Sequence, residues 1–208
     1  MENRVMKRIL ASLTGVLLIS TAVAIFRYCD LGADPFSCFN LGVAHLTGLS
    51  FGNVQVLVNL LLTAILFLVG HAYFGIGTVM SMFLIGYVSD FLLTIVPVKV
   101  TSLPMYIRYM ILLIGLITTS FGISLYSCAK LGISPYDAMS FILVDKFSGK
   151  LHLQYTRIAI DVLLVLSGSL MGGIVGIGTL IIALGVGPCV AFLLKKITIP
   201  YIFPENKV

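Results

Sequence analysis

Six long apolar runs divide this chain, and short polar stretches separate them. The runs cover residues 9–26, 51–69, 74–95, 107–126, 153–171 and 174–194. Each holds about 20 residues, which is enough for a helix to cross a hydrocarbon core of roughly 30 Å. The pattern therefore predicts an all-α membrane protein that crosses the bilayer several times.

Two segments interrupt this pattern with glycine and proline. They read "LGADPFSCFNLG" at 31–42 and "LGISPYDAMSFIL" at 131–143. Each predicts a stretch of non-helical backbone followed by a short helix, at 35–46 and 135–147. Because lipid offers no hydrogen bonds to such backbone, it must be buried in protein or line a wet cavity.

The residues around each proline have the chemistry of a helix start. Asp34 or Ser134 suits the N-cap, proline suits the first helical position, and Ser37 or Asp137 suits the third. If these starts face a cavity, the carboxylates suit a cation, a zwitterion or proton coupling. The alternative is that both breaks lie among lipid headgroups and only cap short amphipathic helices.

The breaks belong to an internal repeat with an offset of about 100 residues. Besides the Leu-Gly-x-x-Pro motifs, "FGIGT" at 74–78 matches "VGIGT" at 175–179. We interpret 1–208 as a single transmembrane domain with repeat one at 6–94, a linker at 95–105, repeat two at 106–194 and a cytoplasmic tail at 195–208. Each repeat holds three full-length transmembrane helices and one short, broken helix.

The short helix leaves two topologies open. If it is re-entrant, each repeat crosses three times and the repeats are inverted; if it spans together with its extended leg, each crosses four times and the repeats are parallel. The positive-inside rule places eleven of the 13 basic residues inside with eight crossings, and ten with six. Arg8 and Arg108 precede the same helix of each repeat, which favours a parallel duplication about a pseudo-two-fold axis along the membrane normal. Both termini and the linker around Lys99 are then cytoplasmic.

A second group of polar residues lies within the third helix of each repeat. Asn59 and Asp161 occupy equivalent positions in apolar runs, and Arg157 lies one helical turn before Asp161. Charges within apolar sequence are expensive and mark candidate sites, although an interfacial ion pair is the alternative. The resulting candidate substrate-binding residues are Asp34, Ser37, Asn59, Ser134, Asp137, Arg157 and Asp161.

Composition narrows the classes of function. The chain is 59% hydrophobic and only 10% charged, and its net charge of +5 does not indicate nucleic acid, because the basic residues lie mostly at helix ends. No H-E-x-x-H or G-x-S-x-G motif is present, and the histidines lack metal-ligand spacing. We expect no enzyme activity, no cofactor and no metal. The expected partners are membrane lipids and a small solute or ion, and a homo-oligomer stays open.

The two "LG-x-[DS]-P-[FY]" motifs, the Asn59 or Asp161 helix and the "GIGT" return resemble the YczE/YyaS/YitT family of bacterial membrane proteins. The resemblance implies a multi-pass protein of the bacterial inner membrane, built from duplicated helical units. Many YitT-like members carry a soluble C-terminal domain that is missing here, so we expect the YczE branch. The resemblance implies no substrate.

Two functions agree with these features. The first is a transporter or facilitator for a small molecule or ion, with a central site between the repeats formed by the half-helix starts and the polar third helices. The second is an accessory protein that supports a biosynthetic or secretion machine without transporting anything itself. Intramembrane polar residues in both repeats favour the first.

Overall fold

The structure, a computed structural model, describes residues 2–70, 73–96, 100–147 and 152–203, and these residues are almost entirely helical. The helices are α1 (Glu2–Cys29), α2 (Pro35–Thr47), α3 (Phe51–Gly70), α4 (Ile76–Ile95), α5 (Met105–Ala129), α6 (Pro135–Lys146), α7 (Leu153–Leu170) and α8 (Ile177–Leu193). A 3-10 turn at Val100–Ser102 precedes α5, and a π-helical stretch at Leu194–Ile202 extends α8. Six of the described helices, all except α2 and α6, are long and apolar enough to cross a membrane.

The two short helices begin where the sequence predicts. The Ser37 N–H donates to Asp34 Oδ1 over 3.1 Å at the start of α2. The Asp137 N–H donates to Ser134 Oγ over 3.3 Å at the start of α6. Both predicted N-caps are therefore confirmed.

Helices α1 and α5, which begin the two predicted repeats, pack tightly against each other and run in opposite directions. Early α1 meets late α5, because a Cβ on Gly15 would lie only 2.7 Å from the Gly122 carbonyl oxygen. Late α1 meets early α5, because Arg108 Nε donates to the Cys29 carbonyl oxygen over 2.8 Å. Parallel repeats would make these helices run the same way, so the predicted parallel duplication is wrong.

An ion pair shows which helix ends share a face. Arg27 Nη1, near the end of α1, lies 2.7 Å from Asp90 Oδ1, near the end of α4. Eight crossings would place these two ends on opposite sides of the membrane, so that topology is also wrong. We call the face that contains them the linker face, because α5 begins there too. The opposite, terminal face holds the start of α1 and the end of the described chain, where Lys7 Nζ lies 5.2 Å from the centre of the Phe203 ring.

The position of Arg108 explains why the charge pattern was misleading. Its guanidinium donates to the carbonyl oxygens of Cys29 and Asp30, the last of α1 and the first beyond it. The positive charge thus stabilises a helix C-terminus and reports nothing about the cytoplasm. Lys99 lies outside the described residues, but the chain on both sides of it is on the linker face, opposite the termini. The predicted placement of the linker beside the termini is therefore wrong.

The short helices enter the protein and return to the face they came from. Helix α2 begins beside α6, where the Phe36 and Tyr136 rings stack with centroids 4.9 Å apart. It ends at the linker face, where His45 lies against the α7–α8 turn at Gly172. Helix α6 ends at the terminal face, where Asp145 accepts a hydrogen bond from Tyr73. The two helix starts therefore meet in the middle of the protein.

Each break is paired with the loop before the last helix of the other repeat. The Gly178 N–H donates to the Leu31 carbonyl, and the Gly77 N–H donates to the Leu131 carbonyl, both over 2.8 Å. Ala33 and Ile133 donate in the same way to the carbonyls of Ile174 and Tyr73. These bonds pair N–H and C=O groups of the non-helical backbone, which lipid would leave without partners. They also give the two "GIGT" motifs a structural role.

The six-crossing topology predicts which loops share a side of the membrane. In a background with all four cysteines replaced by alanine, we expect Leu49→Cys and Met105→Cys to react with an impermeant thiol reagent from one side of oriented vesicles. Val5→Cys should react only from the other side. Reaction of Met105→Cys and Val5→Cys from the same side would contradict the six-crossing arrangement.

Candidate functional site

A cavity of about 510 Å³ lies where α2 and α6 begin, and residues of both repeats line it. The structure brings all seven of the candidate residues to this cavity: Asp34, Ser37, Asn59, Ser134, Asp137, Arg157 and Asp161. Residues separated by more than 120 positions in the chain thus share one space. The headgroup alternative for the breaks does not describe this arrangement, because the helix starts lie deep between the repeats.

On the repeat-two side, the charged residues are paired with one another. Arg157 Nη2 donates to Asp137 Oδ1 over 3.0 Å, and Ser134 Oγ donates to Asp137 Oδ2 over 3.0 Å. Asp161 accepts a hydrogen bond from the Tyr136 hydroxyl. The sequence suggests Asp161 as the neighbour of Arg157, but the bonded partner is Asp137, because α6 brings that carboxylate to the same turn of α7.

Three buried oxygen atoms of the cavity lining have no partner among the described residues: Asp34 Oδ2 and Asn59 Oδ1 of repeat one, and the Tyr126 hydroxyl of repeat two. Asp34 Oδ1 holds the α2 start, while Asp34 Oδ2 is buried and makes no hydrogen bond. Asn59 is only 2% exposed; its Nδ2 donates to the Gln55 carbonyl, and its Oδ1 is unpaired. Both side chains line the cavity. Buried acceptors normally have partners, so this pair indicates where a ligand's donor groups would bind.

Sequence reasoning missed several lining residues because they are aromatic or apolar. Phe36 and Tyr136 follow the two prolines at equivalent positions, and their stacked rings form the contact between the helix starts. The aromatic residue that follows the proline in both motifs was the sequence signal that could have identified these two residues. Tyr126 also lines the cavity, and nothing in its apolar surroundings distinguishes it in the sequence.

The two halves of the cavity wall differ in how tightly they close. Helix α3 packs closely on α4, whereas the equivalent helices α7 and α8 have almost no contact with each other. Gln55 is 3% exposed, but the side chain of its counterpart Arg157 is 44% exposed. Because α7 and α8 are joined at the linker face, they separate toward the terminal face. The lining residues Gln154 and Val190 lie near the terminal-face ends of these two helices, so the loose part of the cavity wall is on the terminal-face side.

At the linker face a group of polar contacts holds the helices together. Asp90 Oδ1 accepts from Arg27, and Asp90 Oδ2 accepts from the Gly52 N–H, each over 2.7 Å. Arg27 also donates to Ser89 Oγ over 2.9 Å, and its guanidinium lies 4.2 Å from the centre of the Phe51 ring. We call Arg27, Phe51, Gly52, Ser89 and Asp90 the linker-face clamp. It joins α1, α3 and α4.

Repeat two lacks the residues for such a clamp. The positions equivalent to Arg27, Ser89 and Asp90 hold Ser127, Val190 and Ala191. No carboxylate or guanidinium at these positions can join α5 and α8 to the start of α7. The difference in sequence therefore matches the difference in closure between the two faces.

The lining charges favour a positively charged guest. Among the described lining residues, the carboxylates of Asp34, Asp137 and Asp161 outnumber the single guanidinium of Arg157. Asp34 belongs to repeat one, and Asp137 and Asp161 belong to repeat two, so carboxylates of both repeats line the same space. No group of three His, Cys, Asp or Glu side chains within the described ranges is placed to hold a metal ion.

The model of one protein family matches residues 6–195. The chain belongs to a family of unknown function, DUF6198. The match includes both breaks, both "GIGT" loops and every candidate residue. Helices α2–α8 and the central cavity described above therefore lie within the matched region.

The similar curated proteins agree with the resemblance seen in the motifs. The chain is 26% identical over 166 residues to "Uncharacterized membrane protein YczE" of Bacillus subtilis (strain 168), covering 80% of this chain and 75% of that protein. It is 25% identical over 170 residues to "Uncharacterized protein YyaS" of the same organism, covering 80% and 82%. An "Uncharacterized protein" of Haemophilus influenzae is 27% identical over 177 residues, covering 82% and 78%. The YczE-like assignment is confirmed, and the chain is a membrane protein. No solved structure gives a significant match.

Proposed function

We propose that this chain transports a small solute across the membrane through alternating access to the central cavity. The observation that carries the proposal is a central cavity lined by polar and charged residues of both repeats, with a loose wall between α7 and α8 and a clamp at the linker face. Transporters place their substrate sites in this way, near the midplane and at the ends of broken helices. Several residues that line the cavity are charged. Burying such side chains within the membrane costs free energy, which marks them as candidates for a functional role.

The proposal includes an inverted internal repeat, related by an axis in the membrane plane. The antiparallel packing of α1 and α5 supports it, as do the matching bonds from Gly178 to Leu31 and from Gly77 to Leu131. Two halves with the same contacts but opposite orientation can exchange roles. One half closes its face while the other half opens, and the bound solute stays near the axis.

We also propose that the terminal face is cytoplasmic in a bacterial inner membrane. Seven of the ten described Lys and Arg residues lie on the terminal face, and Arg157 lines the central cavity; the seven are Arg4, Lys7, Arg8, Lys130, Lys146, Lys195 and Lys196. The other two, Arg27 and Arg108, are bound to Asp90 and to the end of α1. This asymmetry follows the positive-inside rule. The loose part of the cavity wall is then on the cytoplasmic side.

A flux measurement on Asp161→Asn tests the transport function. We expect proteoliposomes with the native chain to show protein-dependent uptake of at least one member of a panel of inorganic cations, organic ammonium ions, amino acids and small anions. Asp161→Asn keeps an acceptor for the Tyr136 hydroxyl but removes a cavity charge. We expect that flux to fall about tenfold or more, since a charged hydrogen bond to a ligand contributes about 1.5–3 kcal/mol.

Asp145→Asn provides the matched control, because Asp145 is exposed, binds Tyr73 and lies outside the central cavity. It should transport as the native chain does. If no member of the panel moves, or if Asp161→Asn moves solute at the native rate, the cavity is not a transport site. The accessory role, with the polar residues acting only as contacts between helices, is then the better account.

A further inference from the structure

We propose that the cavity selects a small organic cation with an N–H-bearing ammonium group on an apolar body. This inference rests on the proposed transport function and defines its substrate class. It is carried by the two unpaired acceptors on the repeat-one side and by the way every other charge in the cavity is already engaged.

The first step concerns the acceptors. Asp34 Oδ2 and Asn59 Oδ1 are buried, line the same cavity and have no partner among the described residues. Asn59 Nδ2 donates to the Gln55 carbonyl, which fixes the direction of the amide and leaves its oxygen as the unpaired atom. A carboxylate oxygen and an amide oxygen together are complementary to a group with several N–H donors and a positive charge.

The second step excludes anions. The N-termini of α2 and α6 would attract an anion if they were free. Instead, Asp34 and Ser134 cap them from within the chain. Arg157 is likewise bound to Asp137. An anion entering the cavity would find its positive groups occupied and excess carboxylates around it.

The third step separates an organic cation from a metal ion. A hard metal ion takes about six or more oxygen ligands. Among the described lining residues only three buried oxygens are unpaired, and one of them is the neutral Tyr126 hydroxyl. The rest of the wall is largely apolar, with Ile19, Val23, Ile85 and Ile182 among the lining residues. The stacked Phe36 and Tyr136 rings add aromatic surface one or two residues beyond the capped helix starts. The Arg157 guanidinium already lies 5.6 Å from the centre of the Tyr136 ring. The wall therefore accommodates a hydrocarbon body, and the unpaired acceptors hold the ammonium group.

Binding of four matched probes to the full chain in nanodiscs tests the proposal. The probes are butylammonium, tetramethylammonium, butyrate and potassium, measured by titration calorimetry. We expect butylammonium to bind, tetramethylammonium to bind at least about tenfold more weakly because it has no N–H donor, and the other two to show no saturable binding.

Asp34→Asn is the decisive variant, because asparagine caps a helix as well as aspartate and so preserves the α2 start. We expect it to weaken butylammonium binding about tenfold or more, with the melting temperature of the free protein unchanged. Asp145→Asn should bind as the native chain does. Failure of butylammonium to bind, or equal binding by Asp34→Asn, overturns the proposal.

The same experiment keeps the substrate class apart from the transport function. If butyrate or potassium binds in the cavity and the uptake assay shows it crossing the membrane, the organic-cation assignment is wrong while the transport function stands. If no solute crosses in the uptake assay, the transport function fails. Equal affinity for tetramethylammonium also overturns the assignment, since the unpaired acceptors would then contribute nothing to selection.

Discussion

Gly32→Ala is expected to destabilise the protein by about 2–5 kcal/mol, because two costs coincide at this position. The backbone of Gly32 has a φ of +124°, which an alanine adopts only with strain. A Cβ there would also lie 2.5 Å from Thr179 Oγ1 and 2.6 Å from the Thr179 backbone nitrogen. Since α8 begins at this contact, the backbone of the break has to move away from it. The hydrogen bond from Gly178 to Leu31 would then be lost.

Two control glycines separate these costs. Gly48→Ala has the positive φ without the overlap, because φ is +71° and no atom lies within 4 Å of its Cβ. It should cost about 1 kcal/mol. Gly187→Ala has neither problem and should leave stability unchanged or raised, because it lies within α8. Thermal melting in detergent gives the order of stability of the three variants. A Gly32→Ala melting temperature as high as that of Gly48→Ala would contradict the close packing of the break at Gly32 against the start of α8.

The equivalent position in repeat two should behave in the same way. Gly132 has a φ of +103°, and a Cβ there would lie 2.5 Å from the Gly75 nitrogen. Each break is hydrogen-bonded to the other repeat. A substitution at either break therefore disturbs contacts in both repeats. The sequence shows that these glycines precede the prolines, but not what they contact.

Local chemistry made the helix starts and the candidate residues predictable. Asp34 and Ser134 precede proline and stand three residues before a polar side chain, a pattern whose meaning does not depend on the rest of the fold. Asn59 and Asp161 stood out because apolar runs rarely contain such side chains. Their convergence on one cavity followed from their matching positions in the two repeats.

The relation between the repeats was not predictable from flanking charge. The match of Arg8 with Arg108 suggested that the two helices insert in the same direction. In the structure Arg108 caps the end of α1, a contact that requires the antiparallel arrangement. Asp90 carries no signal of its own in the sequence, since its partner Arg27 is 63 residues away. Pairing across such a separation becomes visible only when both helix ends are known to share a face.

Asp90→Ala is expected to release the linker-face clamp and to expose the cavity from that face. Arg27 and Asp90 are only 14% and 24% exposed, so the loss of one partner leaves a charge in a poorly hydrated position. The variant also leaves the Gly52 N–H without its acceptor, which frees the start of α3 from α4. Arg27→Met removes the contacts to Asp90, Ser89 and Phe51 but keeps the Gly52 N–H bonded to Asp90, so we expect it to loosen the start of α3 from α4 less than Asp90→Ala does.

Thiol labelling from each face measures this release in the cysteine-free background. Ile85→Cys reports on the path from the linker face, and Ala183→Cys reports on the opening between α7 and α8, since both positions line the cavity. With Asp90→Ala, we expect Ile85→Cys to react from the linker face about tenfold faster, which corresponds to a shift of about 1.4 kcal/mol between the two states. Reaction of Ala183→Cys from the terminal face should slow, because alternating access couples the opening of one face to the closure of the other.

Asp30→Asn is the matched control, because Asp30 lies at the same face, is 55% exposed and is 3.9 Å from Arg108 rather than part of the clamp. Asparagine also tolerates the φ of +51° at this position. It should leave both labelling rates unchanged. A clamp that serves stability alone predicts a different result: Asp90→Ala would lower the melting temperature and leave both rates as they are. Faster labelling at Ile85→Cys together with slower labelling at Ala183→Cys is produced only if the clamp sets the balance between two conformations.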